Sequence, residues 1–340
     1  MSENIVIIGA VALGPKAACR LKRLKPEANV VMVDQTDLIS YGGCGIPYFV
    51  SGDVSDIGQL QSTSFHMLRD KKFFQDAKGI EVLTNTRAVS IDRVGKKVLV
   101  RNVVDGKEQI LPYDKLVLAT GSRPRRLSIP GAELPGVFTV SNLHEAEAIK
   151  AEVAEGRVNK AVVIGAGAIG LEMAEALADL WGVETSVIEV AGQVLPGVVS
   201  PGIARMVRHH LEENGITIYS AEEVVGIEGA ERVERVVMKG SALDADLVIM
   251  AVGVVPKGEL AGEAGLELSS RGGIKVNDRL ETSDPNIYAG GGLCGDTAPS
   301  DRQGGILPFR FSCQQRRTSD RFQPGRRKCR FRRGRGHFCH

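Results

Sequence analysis

Several features that define other classes of protein are scarce in this 340-residue chain. Its six cysteines are irregularly spaced and include no Cys-x-x-Cys pair, so the sequence predicts neither a disulfide framework nor a metal site. No apolar run is long enough to cross a bilayer, which argues against a membrane protein. Aromatic residues make up only 5% of the chain, whereas there are 40 glycines, a balance that favours nucleotide-binding α/β folds over β-sandwiches.

We also expect no leader segment. The apolar strand Ile5–Ile8 begins after only four residues, which leaves no room for a signal peptide. We therefore expect a cytoplasmic protein.

Charge is distributed unevenly along the chain. Residues 1–292 carry 31 Lys and Arg against 38 Asp and Glu, whereas residues 293–340 carry 12 against 3. Beyond Leu307 there is neither leucine nor isoleucine, so we expect the basic tail to be disordered. A nucleic-acid-binding arm is the rival interpretation, but the tail shows no regular aromatic spacing, and no specific nucleic-acid partner is expected.

The order of the predicted elements indicates the fold class. A strand, a glycine turn, a small-residue helix and a second strand occur twice, over 5–33 and over 161–189. We expect an α/β protein with two Rossmann-like domains of the three-layer ββα type, the second inserted into the first. The predicted bounds are 1–124 with 246–292 for the first domain, 125–245 for the second and 293–340 for the tail. A helix is also predicted over 64–76.

The second glycine turn reads Gly165-x-Gly167-x-x-Gly170 and lies between an apolar strand and a helix. The first glycine permits a tight turn, the second permits close approach of a pyrophosphate, and the third permits close packing of the helix on the strand. Glu189 ends the next strand, 22 residues after Gly167, where a carboxylate binds ribose hydroxyls and repels a 2′-phosphate. The pattern favours NADH, and the alternative is a turn that binds no ligand.

The first glycine turn, Gly9-Ala-Val-Ala-Leu-Gly14, has Val11 where a middle glycine is usual. Taken alone it is a weaker signal. Asp34, at the end of the next strand, restores the ribose carboxylate. We therefore expect a second dinucleotide site here.

One cysteine lies between the two turns, in Ser40-Tyr-Gly-Gly-Cys44-Gly-Ile-Pro47. The proline predicts a helix start just after Cys44, and a helix N-terminus favours the nucleophilic thiolate. The surrounding glycines leave room for a bulky partner. A catalytic thiol is the main interpretation, and a buried structural cysteine is the alternative.

Together these motifs resemble the FAD-dependent pyridine nucleotide-disulfide oxidoreductases, in the branch with a single catalytic cysteine. The resemblance covers residues 1–292 and includes Ala119-Thr-Gly-Ser-Arg-Pro124, Ala251-Val-Gly-Val-Val-Pro256 and Thr282–Gly291. It implies FAD in the first domain, NAD(H) in the second and electron transfer to a disulfide or persulfide at Cys44. The cofactor-binding residues that we expect are Gly9, Ala10, Val11, Ala12, Gly14, Asp34, Ser40, Thr120, Gly121, Gly165, Gly167, Ile169, Gly170, Glu189 and Gly253.

The resemblance also implies residues that contact the substrate. Arg23 and Ser40 match positions that bind coenzyme A and thiols in the reductases of the family. Gly43 stands where an asparagine is expected, which weakens the case for a coenzyme A substrate. Ala12 stands where oxidases and peroxidases of the family carry a histidine, which disfavours oxygen or peroxide chemistry.

The resemblance breaks at Gly292, where the family has an aspartate that binds the FAD ribityl chain. One inserted nucleotide would convert Gly-Asp-Cys-Val-Glu into Gly-Gly-Leu-Cys-Gly, which this chain has from Gly291 onward. We therefore expect a frameshift near codon 292, which resequencing of the DNA would test. The C-terminal dimerisation domain, through which the family forms homodimers, would then be absent.

Three functions follow as hypotheses. The leading one is an FAD-dependent NADH reductase of a small disulfide or persulfide. The alternatives are an NADH oxidase and a non-catalytic nucleotide-binding remnant.

Overall fold

A computed structural model of the chain describes residues 2–294. Its strands are β1 (Asn4–Ile8), β2 (Asn29–Val33), β3 (Glu81–Leu83), β4 (Thr86–Asp92), β5 (Lys97–Asn102), β6 (Glu108–Pro112), β7 (Lys115–Leu118), β8 (Ser122–Pro124), β9 (Val137–Thr139), β10 (Lys160–Ile164), β11 (Glu184–Glu189), β12 (Thr217–Ser220), β13 (Val224–Glu228), β14 (Arg235–Met238), β15 (Ala242–Asp244), β16 (Leu247–Met250), β17 (Val254–Pro256) and β18 (Ile287–Ala289).

The helices connect and cover these strands. They are α1 (Leu13–Leu24), α2 (Ile46–Ser51), α3 (Ile57–Gln61), α4 (Lys71–Lys78), α5 (Leu143–Ala154), α6 (Ala168–Ala178), α7 (Pro201–Glu213) and α8 (Glu259–Glu263). Within residues 2–294 no helix has both the length and the apolar character needed to cross a membrane.

Two five-stranded parallel sheets form the frame of the protein. The first has the order β18-β7-β1-β2-β3, and the second has the order β12-β11-β10-β16-β9. Their central strands β1 and β10 are almost wholly buried, which explains why both are continuous apolar runs rather than alternating ones. A three-stranded antiparallel sheet accompanies each, β4-β5-β6 with the first and β13-β14-β15 with the second. This arrangement confirms the predicted α/β class with two Rossmann-like units.

The chain leaves the first sheet after β7, builds the second sheet and returns to the first with β18. The crossing is made by β8 and β17, which pair antiparallel with Ser122 opposite Pro256. One predicted bound is wrong: the second segment of the first domain does not begin at 246. β16 lies in the second sheet, between β10 and β9. A fully apolar strand fits the interior of either parallel sheet, so its composition carried no information on which sheet it joins.

The predicted start of the tail at 293 is also wrong. Leu293 is fully buried in an apolar core that it shares with residues of β1, β5 and β7. Its carbonyl oxygen accepts a hydrogen bond from Ile274 N at 3.0 Å. Leu293 and Cys294 therefore belong to the first domain. The remainder of the predicted tail, residues 295–340, lies outside the described residues.

The helix predicted over 64–76 begins later than expected, at Lys71. Thr63 Oγ1 accepts hydrogen bonds from the N–H groups of Phe65 and Met67, which closes a turn instead of a helix. Asp70 then caps α4 by accepting from Phe73 N at 2.8 Å. Local side-chain hydrogen bonds thus moved the helix start toward the C-terminus.

Candidate active site

The first glycine turn connects β1 to α1 through contacts that exclude larger residues. Gly9 has φ +106°, and a Cβ there would overlap the carbonyl oxygen of Ala119 at the end of β7. A Cβ on Gly14 would overlap the carbonyl oxygen of Gly9, because α1 starts directly against the turn. Both glycines are therefore required by the packing of the turn itself.

Asp34 follows β2 and braces this turn. Its buried carboxylate accepts from Ala10 N at 2.7 Å, and Thr36 donates to the other oxygen from its hydroxyl at 2.8 Å and its N–H at 3.0 Å. A carboxylate has about four acceptor positions, so Asp34 keeps capacity for ligand hydroxyls. It lies at the carboxyl end of a parallel strand, the edge at which such sheets bind ligands.

The second glycine turn repeats this geometry between β10 and α6. Gly165 has φ +105°, and a Cβ there would lie 2.6 Å from the carbonyl oxygen of Ala251. A Cβ on Gly170 would overlap the carbonyl oxygen of Gly165. Glu189 accepts from Ala166 N at 2.7 Å and from Ala191 N at 2.8 Å, so it braces this turn as Asp34 braces the first.

One element of the repeat was not predicted. Ser40 N donates to the carbonyl oxygen of Ala10, and Leu195 N donates to that of Ala166, both at 2.8 Å. Both donors have positive φ, +52° and +48°, a strained conformation for residues other than glycine. Sequence reasoning missed Leu195 because a leucine gives no sign of such a backbone conformation.

Both helices that follow the turns have open N-termini. The N-cap positions, Ala12 for α1 and Gly167 for α6, provide no side-chain hydrogen bond to the first N–H groups. These groups are therefore available to phosphate oxygens, which helix N-termini bind well. Half-buried Val11 lies just before Ala12, and Ile169, in the first turn of α6, is 38% exposed.

Gly167 differs from its two neighbouring fingerprint glycines. Its φ of −75° suits any residue, and a Cβ there would have no atom within 4 Å. The protein's own packing therefore does not require this glycine. The space in front of it is what a ligand at the helix N-terminus needs.

A second pair of glycines lies where the chain crosses between the sheets. Gly121 and Gly253 have φ +68° and +97°, and an added Cβ at either would meet no atom within 4 Å. Thr120 lies just before β8 and Lys257 just after β17. The Thr120 hydroxyl donates to the carbonyl oxygen of Lys257 at 3.1 Å and so bonds the two crossing segments together. The predicted residues Thr120, Gly121 and Gly253 thus lie at one junction.

Cys44 is exposed in a 3₁₀ turn, Gly43–Gly45, immediately before α2, as the sequence predicted. A Cβ on Gly43 would meet no atom within 4 Å, whereas one on Gly45 would overlap the Leu60 side chain. Gly42 N donates to the carbonyl oxygen of Leu60 at 2.9 Å and fixes the turn from the other side. Its exposure excludes the alternative of a buried structural cysteine.

The two predicted substrate residues occupy different surroundings. Ser40 is buried, and its N–H bonds the segment that precedes Cys44 to Ala10 of the first glycine turn. Arg23 is exposed in the last turn of α1, and its guanidinium forms no hydrogen bond or salt bridge within residues 2–294. The structure therefore shows no bond that joins Arg23 to Ser40.

Tyr41 is a further residue of the site that sequence reasoning did not select. Burial raises its pKa to about 12, and the charges of Asp34 and Glu145 add to this effect. The phenol is therefore neutral at physiological pH. Asp34 belongs to the first domain and Glu145 to the second, so charges of both domains affect the pKa of Tyr41.

A cleft of about 300 Å³ lies between α2, the helix that follows Cys44, and the helices α6 and α7. It is lined by Tyr48, Asp53, Glu172, Glu175 and His210, among others. Partial burial raises the pKa of Glu172, and the neighbouring Glu175 raises it further. Within residues 2–294 no group of three or more His, Cys, Asp or Glu side chains could hold a metal ion.

An exposed ion pair connects the two domains near the site. His144, at the start of α5, lies 2.7 Å from Asp37 through Nε2, and it lies 3.3 Å from Glu147 through Nδ1. The hydrogen bond to Asp37 raises the pKa of His144 above 6.5, and the same bond lowers the pKa of Asp37 below 3.8.

We expect the coupling between the domains through this pair to depend on pH. The His144 contribution is complete below pH 6.5 and is lost as the pH rises through the higher folded-state pKa, whereas the Asp37 contribution is lost in strong acid. We expect a coupling of about 0.5 kcal/mol near pH 5.5 and none near pH 9, because both side chains are more than half exposed. Urea unfolding of His144→Gln, Asp37→Asn and the double variant at both pH values measures it. Equal coupling at the two pH values would contradict the assignment.

Comparison with known proteins agrees with this geometry. Residues 3–309 match the family model described as pyridine nucleotide-disulphide oxidoreductase. An NADH oxidase of Methanocaldococcus jannaschii is 36% identical over 286 residues, 84% of this chain and 62% of the relative. An NAD(P)H coenzyme A polysulfide/persulfide reductase of Pyrococcus horikoshii is 35% identical over 291 residues, 86% of this chain and 62% of the relative.

Solved structures show the same fold. An NAD-dependent persulfide reductase from A. fulgidus superimposes with a TM-score of 0.86 at 40% identity. The match covers 90% of this chain and 56% of that one. The chain thus spans less than two thirds of the length of these relatives.

Proposed function

The chain belongs to the pyridine nucleotide-disulphide oxidoreductase family, and from that premise we propose that it uses FAD and NADH to reduce a small disulfide or persulfide at Cys44. The observation that carries the proposal is the position of the thiol. Cys44 is exposed on a turn that is bonded to the first glycine turn on one side and continues into α2 on the other.

The first domain fits an FAD. The open N-terminus of α1 would receive the pyrophosphate, and Asp34 would accept from the adenosine ribose. Ala12, the N-cap residue, leaves the first N–H groups of α1 without a side-chain partner, although Val11 replaces the usual middle glycine. At position 292 the chain has a glycine and therefore offers no carboxylate to the ribityl chain. When bound, the flavin would relay electron pairs between the nicotinamide and sulfur.

The second domain fits NADH. Gly167 leaves the N-terminus of α6 open to a pyrophosphate. Glu189 keeps acceptor positions for both ribose hydroxyls and would repel a 2′-phosphate. Val190 and Ala191 follow it, so the two residues directly after the carboxylate offer no positive charge to such a phosphate. NADH is therefore the preferred donor.

The role of Cys44 is nucleophilic. Its thiolate attacks one sulfur of the substrate, a new S–S bond forms at Cys44, and the other sulfur leaves as a thiolate that takes up a proton. Two electrons and one proton then release the bound half of the substrate and restore the Cys44 thiolate. The open space beside Gly43 accommodates the substrate.

NADH oxidase activity is the second candidate, favoured by the similarity to the oxidase of M. jannaschii. Oxygen consumption with NADH and no disulfide distinguishes it from the reductase. Ala12, exposed at the N-cap of α1, supplies no acid or base for oxygen chemistry. We further propose a cytoplasmic protein, because a reducing compartment keeps thiols such as Cys44 active.

A visible spectrum of the purified full chain tests the function. After addition of FAD we expect a bound-flavin band that NADH bleaches under anaerobic conditions, with NADPH acting more slowly. A small disulfide should then restore the band. If the chain retains no flavin and NADH has no effect, the enzymatic proposal is refuted and the non-catalytic remnant is the correct interpretation.

A further inference from the structure

The helix that follows Cys44 packs on the second domain, although in sequence it belongs to the first. α2 buries Ile46, Phe49 and Val50 in the same apolar core as residues of α5 and α6. The segment before Cys44 is bonded instead to the first glycine turn, through Ser40 N and the carbonyl oxygen of Ala10. The turn that carries Cys44 therefore lies between a segment bonded to the first domain and a helix packed against the second.

Trp181, just beyond α6, holds the end of this helix. It is the only tryptophan of the chain, and its Nε1 donates to the carbonyl oxygen of Val50 at 2.8 Å. Val50 lies in the last turn of α2, where carbonyl oxygens lack partners within the helix. A helix of six residues is unstable by itself, so such external contacts decide whether it stays formed.

Lys150 of α5 holds the same segment from a second direction. Its Nζ lies 4.1 Å from the centre of the Phe49 ring and donates to the carbonyl oxygen of Val54 at 3.2 Å. Both side chains thus bind the carboxyl side of α2, and both come from the second domain.

We propose that Trp181 and Lys150 are positioning residues for Cys44: the nucleotide domain, through these two contacts, holds α2 and thereby the cysteine turn. The kinetic part of this inference rests on the proposed function, whereas the structural part does not.

Trp181→Phe, which keeps an aromatic ring and removes the N–H donor, tests the structural part in the full chain. We expect amide hydrogen exchange over residues 46–54 to accelerate about fivefold, because the lost bond leaves the helix end unsatisfied. Exchange over α1 should not change. Unchanged exchange in α2, or equal acceleration in α1, would overturn the proposal.

The kinetic part is tested with the FAD-loaded chain. Trp181→Phe and Lys150→Met should each lower kcat for disulfide reduction about fivefold, because the thiol is less well placed. The KM for NADH, and the reduction of ferricyanide, which needs no thiol, should stay unchanged. A lower kcat for disulfide reduction with unchanged NADH KM and ferricyanide reduction indicates a loss of thiol positioning. A general loss of structure would change all three quantities.

Lys115→Met is the matched control. Lys115 also lies over an aromatic ring, that of Tyr288 at 5.7 Å, and donates to a carbonyl oxygen, that of Pro285 at 3.1 Å, but it belongs to the first sheet. We expect normal kcat and normal exchange in α2. An equal loss of kcat in this variant would refute a specific role of Lys150. If the unmodified chain reduces no disulfide, the proposed function fails, and the exchange measurement still decides the structural part.

Discussion

Replacement of Cys44 by serine is expected to lower the rate of NADH-dependent disulfide reduction by about 10³-fold or more. A serine hydroxyl is not ionised at neutral pH and cannot form the S–S bond that the proposed reaction requires. The substitution is nearly isosteric, and the side chain is exposed on a turn held by backbone hydrogen bonds, so folding should be unaffected. Steady-state assays with a panel of small disulfides measure the effect.

Two controls make this result specific. Ferricyanide reduction should stay within about twofold of the unmodified protein, because that acceptor needs no thiol. Cys19→Ser should retain disulfide reduction, since Cys19 lies half-buried on α1, where burial raises its pKa and disfavours the thiolate. Unchanged disulfide reduction by Cys44→Ser would remove Cys44 from the mechanism.

The second large effect concerns two glycines three residues apart. Gly170→Ala should destabilise the second domain by about 3 kcal/mol, because its Cβ would overlap a backbone oxygen of Gly165 that cannot move aside. Gly167→Ala should leave the free energy of unfolding within about 0.5 kcal/mol, since nothing lies within 4 Å of the new Cβ. The same methyl group would occupy the space for the pyrophosphate and should weaken NADH binding at least about tenfold.

Urea unfolding and calorimetric NADH titration measure the two quantities. Gly202→Ala is the control, because it also adds a Cβ to open space, near the start of α7. It should leave NADH affinity unchanged and raise helix stability slightly. Normal NADH affinity in Gly167→Ala would show that the open space is not a nucleotide site.

Most of the frame could be predicted from local pattern. α7 and β18 follow from such patterns, because Pro201 marks a helix start and a short apolar run before three glycines marks a strand end. The positions of the fingerprint glycines and of the acids Asp34 and Glu189 could also be predicted. Each lies in a strand–turn–helix–strand unit that is continuous in the sequence.

Features that depend on distant contacts could not be predicted. The sheet that β16 joins is decided by its neighbours, not by its own apolar residues. The strained backbone of Leu195 is imposed by a hydrogen bond to Ala166, 29 residues earlier in the chain. The contact of Trp181 with α2 spans 131 residues and uses a side chain that an isolated sequence presents as an ordinary apolar residue.

The paired crossing strands have a consequence for how this protein could be rebuilt. Since Ser122 faces Pro256, the inserted domain enters and leaves at a single place, and removing it would leave ends that a short linker could join. A donor domain with another nucleotide preference could be grafted at the same point. Such a graft would keep the first sheet but lose the partners of α2, so a working chimera has to carry equivalents of Trp181 and Lys150 with it.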